Sequence, residues 1–120
     1  MKITTKSFPF NTHTLDITLI HYSNNTVELA WSIDDCYDRV ELSTQEKNYV
    51  KTTMSKLVSH LAARTNLFVE LYTADDLDAM RRHIHSKWGF SHLGSGDYMI
   101  LGNEQEVATA ISNKLTLQVG

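Results

Sequence analysis

Residues 67–101 have the sequence LFVELYTADDLDAMRRHIHSKWGFSHLGSGDYMIL, which carries most of the information on the fold. The segment Leu67–Tyr72 is nearly all apolar, as expected of a central strand that is covered on both faces. An amphipathic helix is predicted next, because Thr73 can serve as an N-cap and apolar residues recur at helical spacing as far as Trp88. Gly89 is predicted to follow the helix end, where a positive φ is needed. The chain therefore turns back onto a sheet after this helix.

Two short strands and a last helix are predicted beyond the glycine. Phe90–Leu93 and Asp97–Leu101 flank the turn sequence Gly94-Ser95-Gly96, which favours an antiparallel pair. Asn103 and Glu106 have the spacing of a capping box before a helix that ends at about residue 115. The predicted apolar face of this helix comprises Val107, Ile111 and Leu115.

Three strands are predicted in the first third of the chain. Apolar and polar residues alternate in Leu15–Ile20 and in Val27–Ile33, and the intervening Ser23–Asn25 favours a turn. These two runs therefore indicate an antiparallel hairpin. A shorter alternating run predicts a third strand at Tyr37–Leu42.

A long helix is predicted between this third strand and Leu67. Ser43 and Glu46 have capping-box spacing, so each side chain can bond to the other residue's backbone N–H group. Apolar residues then recur on one face until about Arg64. That face consists of Val50, Met54, Leu57, Val58 and Leu61.

The predicted order is βββ-α-β-α-ββ-α, which indicates one α/β domain with a mixed sheet (α+β). At 120 residues the chain is long enough for one core and buries about two thirds of its unfolded surface. We expect a single domain over residues 1–120, with a core at 15–102 and a C-terminal helix at about 103–115.

Composition excludes several classes of protein. The formal net charge of −3 gives no strong signal for nucleic-acid binding. No apolar run approaches the roughly 18 residues of a membrane span, and the polar N-terminus does not resemble a signal peptide. The single cysteine, Cys36, excludes an internal disulfide, and the histidines lack zinc-site spacing. A cytoplasmic protein without a membrane partner or a metal is therefore expected.

The chain resembles the GNAT acetyltransferase superfamily over about residues 15–101. The most specific part is the helix that ends in Trp88-Gly89-Phe90, together with the closing strand Asp97–Leu101. The family's helices between its first two strands have no room here, so the resemblance implies a minimal GNAT-like domain.

The resemblance implies acetyl-CoA as cofactor, lying against a splayed pair of central strands. In the family, the pyrophosphate sits at the N-terminus of the helix after the first of these strands, where N–H groups and the helix dipole attract an anion. The matching stretch comprises Lys47, Asn48, Tyr49, Val50 and Lys51, after Gln45 and Glu46, and it contains no glycine. Strand backbone of Val40 to Leu42 would hold the pantetheine.

The resemblance also implies catalytic residues. The family's usual tyrosine, which protonates the departing thiolate, is replaced by His85, and an imidazole can transfer protons near neutral pH. Glu41 or Glu70 would be the base that deprotonates the amine. The alternative for each is an exposed helix histidine or an outward strand carboxylate without a catalytic role.

Two functions are compatible with these residues. The first is an N-acetyltransferase that moves an acetyl group from acetyl-CoA to an amine acceptor. The second is a catalytically degenerate GNAT-fold binding module or inhibitor of another protein, without acetyl-CoA. The absent glycines and the absent tyrosine favour the second function, and the fold resemblance favours the first.

Overall fold

The structure, a computed structural model, describes residues 2–34, 41–70, 87–92 and 98–119. Only the backbone is described for Glu70, His92, Tyr98 and residues 113–119. The strands are β1 (Lys2–Phe10), β2 (His13–His21), β3 (Thr26–Ile33), β4 (Asn66–Glu70), β5 (Ser91–His92) and β6 (Tyr98–Leu101). The helices of the described residues are α1 (Thr44–Ala62) and α2 (Glu104–Val119).

The strands form one mixed sheet in the order β1-β2-β3-β4-β6-β5. β3 and β4 are parallel, and the other neighbouring pairs are antiparallel. Parallel neighbours need a crossover connection, and α1 lies in that connection. The predicted class, a mixed α and β fold, is confirmed.

The specific order βββ-α-β-α-ββ-α is not confirmed. Three strands do precede α1, but the first of them, β1, lies outside the predicted core. β1 pairs with β2 along its whole length and lies at the edge of the sheet. Its sequence, KITTKSFPF, has little apolar alternation and contains Pro9, which is tolerated in an edge strand but rare in a central one. The alternation of apolar and polar residues therefore did not predict this strand.

The third predicted strand, Tyr37–Leu42, falls mostly outside the described residues. Its last two residues, Glu41 and Leu42, are described and are not in a strand. Leu42 packs against the core as the chain enters α1. Of the predicted helix from Thr73 to Trp88, the structure describes only Lys87 and Trp88.

Helix α1 forms as predicted, although it ends two residues before Arg64. The Ser43 and Glu46 capping box is present, and the first intrahelical bond joins the N–H group of Lys47 to the carbonyl of Ser43 at 2.9 Å. Four residues of the predicted apolar face are buried, and Leu57 packs at its margin. The buried residues are Val50, Met54, Val58 and Leu61.

The core lies mainly between α1 and one face of the sheet. Alternate residues of β2 and β3 contribute to it, as their period-two pattern predicted. The members from these strands are Leu15, Ile17, Val27, Leu29, Trp31 and Ile33. β4 is a central strand, as predicted, because Leu67 and Val69 belong to this core while Phe68 packs on the opposite face with α2.

Helix α2 is held to the start of β4 by Asn66. The Oδ1 atom of Asn103 accepts a bond from the N–H group of Glu106 at 3.0 Å, so the predicted N-cap is present. In a complete capping box the Glu106 carboxylate would accept directly from the N–H group of Asn103. Here the Asn66 side chain lies between the two: its NH₂ group donates to the Glu106 carboxylate, and its Oδ1 atom accepts from the N–H group of Asn103. Gly102, with a φ of +140°, lets the backbone pass close to Asn66.

The Trp88-Gly89-Phe90 unit is partly described. Gly89 has a φ of +87°, as the predicted helix ending requires. Phe90 is buried in the core, and the indole N–H group of Trp88 donates to Ser55 Oγ at 2.6 Å. The antiparallel pair β5–β6 after this unit is also as predicted.

Candidate functional site

Five of the residues predicted to bind a cofactor lie on the first turns of α1, and they divide into two groups. Lys47, Asn48, Tyr49 and Lys51 are exposed. Val50 is fully buried and serves the core. The first group lies on the exposed surface of α1, where Lys47 and Lys51, four residues apart, share one face and Tyr49, two residues from each, points to the other side.

The other predicted site residues are not brought to this surface by the described structure. Glu41 is exposed just before α1, and Leu42 contacts the core. Val40 and His85 lie outside the described residues, and only the backbone of Glu70 is described, at the end of β4.

The N-terminus of α1 is capped by the Glu46 carboxylate from the first turn of the same helix. Glu46 Oε1 accepts from the N–H group of Ser43 at 2.8 Å, and Ser43 Oγ accepts from the N–H group of Glu46 at 3.1 Å. Four N–H groups at a helix start lack intrahelical partners, and this box satisfies two of them. Two of the four N–H groups that could bind an anion at this helix end therefore already have acceptors.

The same carboxylate contacts the turn between β1 and β2. Glu46 Oε2 accepts from the Asn11 side-chain amide at 3.3 Å and lies 3.5 Å from His13 Nε2. Asn11 has a φ of +53°, a conformation that asparagine tolerates better than most residues. The turn sequence thus places both contacts against the start of the helix.

His13 links this helix end to the end of β3. Its Nδ1 atom lies 2.6 Å from Asp34 Oδ2, and Asp34 Oδ1 accepts from the N–H group of Thr14 at 2.8 Å. Asp34 also has a positive φ, of +58°, where β3 ends. The imidazole therefore lies between two carboxylates, Asp34 on one ring nitrogen and Glu46 on the other. We call Asn11, His13, Asp34, Ser43 and Glu46 the His13 cluster.

The charges of the His13 cluster stabilise one another. The hydrogen bond with Asp34 is the main cause that raises the pKa of His13 above 6.5, and the Asp34 and Glu46 charges add to it. The same bond lowers the pKa of Asp34, with a smaller contribution from the Thr14 N–H group. The bond from the Ser43 N–H group is the main cause that lowers the pKa of Glu46. With a protonated imidazole and both carboxylates ionised, the cluster carries one net negative charge.

An aromatic stack lies beside the His13 cluster. The rings of Phe10 and Tyr49 are stacked with centroids 4.9 Å apart, and the Phe10 ring lies 5.6 Å from that of His13. Phe10 is buried, whereas Tyr49 is 38% exposed. Tyr49 therefore packs against the hairpin and still presents an edge to solvent.

Sequence reasoning did not find the His13 cluster. His13, Asp34 and Glu46 are far apart in the chain, and neither a periodic pattern nor a ligand spacing connects them. The local signals are the capping spacing of Ser43 and Glu46, the asparagine at position 11 and the Asp34-Asp35 pair, which indicate a helix start and turns and not a side-chain cluster.

Comparisons with known proteins give no relative for this chain: no family model, no curated protein and no solved structure matches it. The described residues contain no helix that is both long and apolar enough to span a bilayer. Within the same residues, no group of three or more His, Cys, Asp or Glu side chains is arranged to hold a metal ion.

Proposed function

We propose that this chain is a GNAT-like scaffold that no longer uses acetyl-CoA and binds or inhibits another protein. The observation that carries this proposal is the position of the Glu46 carboxylate. It caps the helix end at which the resemblance would place the cofactor's pyrophosphate.

Electrostatics disfavours a pyrophosphate at this position. A glutamate is ionised at neutral pH, and bonds from Ser43 and Asn11 lower the pKa of Glu46 further. An incoming anion would have to displace a carboxylate that is already hydrogen-bonded, or lie beside it. Like charges at close range repel, and the repulsion grows where water is excluded.

The absence of glycine from this segment is a steric argument against a bound pyrophosphate. A phosphate-binding turn normally uses glycines so that the main chain can approach the ligand closely. Tyr49 lies in this stretch instead, and its ring is stacked on that of Phe10. Moving that ring aside would break a stacked pair, which contributes about 0.5–1.5 kcal/mol beyond area burial.

The exposed part of the same helix supports a role in protein binding. Tyr49 is flanked by Lys47 and Lys51, and neither lysine has an ion pair with any residue that the structure describes. Lys47 and Lys51 are four residues apart and share one face of α1, whereas Tyr49, two residues from each, points to the other side, so the two cations form the exposed patch. The complementary partner surface would be acidic.

A ligand titration tests the loss of the cofactor. A ligand at a hundred times its dissociation constant stabilises a fold by about 2.7 kcal/mol, which is easily seen as a rise in melting temperature. We expect no rise with acetyl-CoA at millimolar concentration. A saturable rise would refute the proposal.

Capture experiments test the binding role. A partner that is retained by the natural chain should be weakened by Lys47→Gln with Lys51→Gln. Lys56→Gln is the matched control, because Lys56 is an exposed lysine farther along the same helix. Equal retention by all variants would remove this surface from the proposal.

The transferase remains a second candidate because of one feature of the sheet. β3 and β4 pair only from Thr26 to Glu28, opposite Asn66 to Phe68, so the rest of β3 has no partner in the described part of β4. Parallel central strands that separate are what the resemblance implies for acyl-CoA binding. In that case His85 would act as the acid and Glu41 or Glu70 as the base, and acetyl-CoA would give the saturable rise.

A further inference from the structure

We propose that a cavity between β1, β2 and α1 binds a small aliphatic monocarboxylate. The cavity has a volume of about 130 Å³, and no residue of the His13 cluster lines it. Its walls include Phe8, Ile17, Leu19 and Leu57. This site is separate from the proposed partner surface, so either proposal can fail without the other.

The cavity exists because α1 does not cover the outer part of the sheet fully. The buried stripe of α1 packs against the core, and Leu57 at the margin of that stripe is only half buried. Thr4 on β1 and Thr53 on α1 also line the cavity, where larger side chains would fill it. Partly exposed apolar side chains therefore face a space that no described residue occupies.

The size of the space limits the ligand. A dry cavity of about 150 Å³ lined by Leu, Ile and Phe residues accommodates benzene. A chain of about four to six carbons is therefore the right size for the apolar walls here. Burying such a chain gains about 0.8 kcal/mol for each CH₂ group removed from water, which predicts weak, millimolar binding after association costs.

Lys6 indicates that the ligand carries a negative charge. It lines the cavity and has no ion pair with any described residue. Asp16, a carboxylate on the neighbouring strand, bonds to Ser7, and both lie on the opposite face from Lys6, because side chains alternate along a strand. One lysine among the residues that line an apolar cavity complements one carboxylate, whereas a doubly charged phosphate would be left undercompensated.

Methyl-resolved NMR titrations test the proposal with hexanoate, hexanol and acetate as probes. Hexanoate should shift the methyl signals of Ile17, Leu19 and Leu57 in a saturable manner. Hexanol, which lacks the charge, and acetate, which lacks the chain, should both bind more weakly. If hexanoate causes no saturable shift at these methyl groups, or if hexanol binds as well as hexanoate, the proposal is overturned.

Two variants separate the charge from the cavity. Lys6→Gln should weaken hexanoate binding about fivefold, as expected of a partly exposed ion pair. Lys2→Gln should leave it unchanged, because Lys2 is on the same strand but does not line the cavity. Equal effects of the two changes would refute the role of Lys6.

Thr53→Leu fills the cavity from α1 and introduces a better helix former at a half-buried position. It should abolish the binding of both hexanoate and hexanol, while the melting temperature reports that the fold is intact. Retained binding in a folded Thr53→Leu variant would place the ligand elsewhere and overturn the proposal.

Discussion

His13 Nδ1 lies 2.6 Å from Asp34 Oδ2, so the start of β2 is joined to the end of β3 by a short hydrogen bond between a histidine and a carboxylate. The opposite ring nitrogen lies 3.5 Å from Glu46 on α1. One side chain therefore connects two strands and the helix that follows them. We therefore expect the contacts at the start of α1 to respond to the protonation of His13.

The first prediction concerns stability and pH. The folded-state pKa of His13 is above the ordinary value of 6.5, so its contribution is complete below that value and is lost as the pH rises through the folded-state pKa. The difference in unfolding free energy between the natural chain and His13→Gln should therefore shrink as the pH rises above 6.5. Urea unfolding at several pH values measures it. His21→Gln, a change on the same strand outside the cluster, is the control, and a difference independent of pH would contradict the prediction.

The second prediction isolates Asp34. Asp34→Asn keeps a residue that tolerates the positive φ and an oxygen that can accept from the Thr14 N–H group, but it removes the charge. The pKa of His13 should fall back towards 6.5, because its largest cause is removed. An NMR titration of the His13 ring measures the pKa. Asp16→Asn is the control, and an unchanged His13 pKa in Asp34→Asn would show that the contact does not control the histidine.

The third prediction concerns the cap of α1. Ser43→Ala removes the oxygen that accepts from the Glu46 N–H group, and such a loss typically costs about 1 kcal/mol. Chemical denaturation measures the loss. Thr44→Ala, one residue later and exposed, should change the unfolding free energy by much less. If both changes have the same effect, the capping role of Ser43 is wrong.

The fourth prediction compares two glycines with positive φ. A Cβ atom at Gly102 would lie 2.5 Å from Asn66 Oδ1, whereas a Cβ atom at Gly89 would have no heavy atom within 4 Å. Gly89→Ala should cost about 1–2 kcal/mol, which is the backbone cost alone. Gly102→Ala should cost more, because Asn66 must move and its bonds to Asn103 and Glu106 are then strained. Unfolding free energies measure both, and equal losses would contradict the clash.

Local signals predicted the elements that depend on local chemistry. The α1 cap follows from Ser43 and Glu46 being three residues apart, and the conformation of Gly89 follows from the helix end before it. The buried strand β4 follows from its apolar run, since both of its faces are covered. In each case the residues that specify the structure are neighbours in the sequence.

The remaining features depend on contacts between distant residues. β1 is an edge strand with polar residues and Pro9, so its pairing with β2 leaves little pattern in its own sequence. The His13 cluster joins residues from a turn, a strand end and a helix start, and each of them alone has an ordinary explanation. The same holds for Asn66, which caps α2 from another element.

The central proposal is that the carboxylate of Glu46 lies where the GNAT resemblance would place a cofactor phosphate, at the start of α1. The amide signals of Thr44 and Gln45 report on this position directly, because they belong to the first turn of the helix. An NMR titration with acetyl-CoA is the most direct measurement. We predict that both signals remain unshifted at millimolar ligand, and a saturable shift of either signal would contradict the claim.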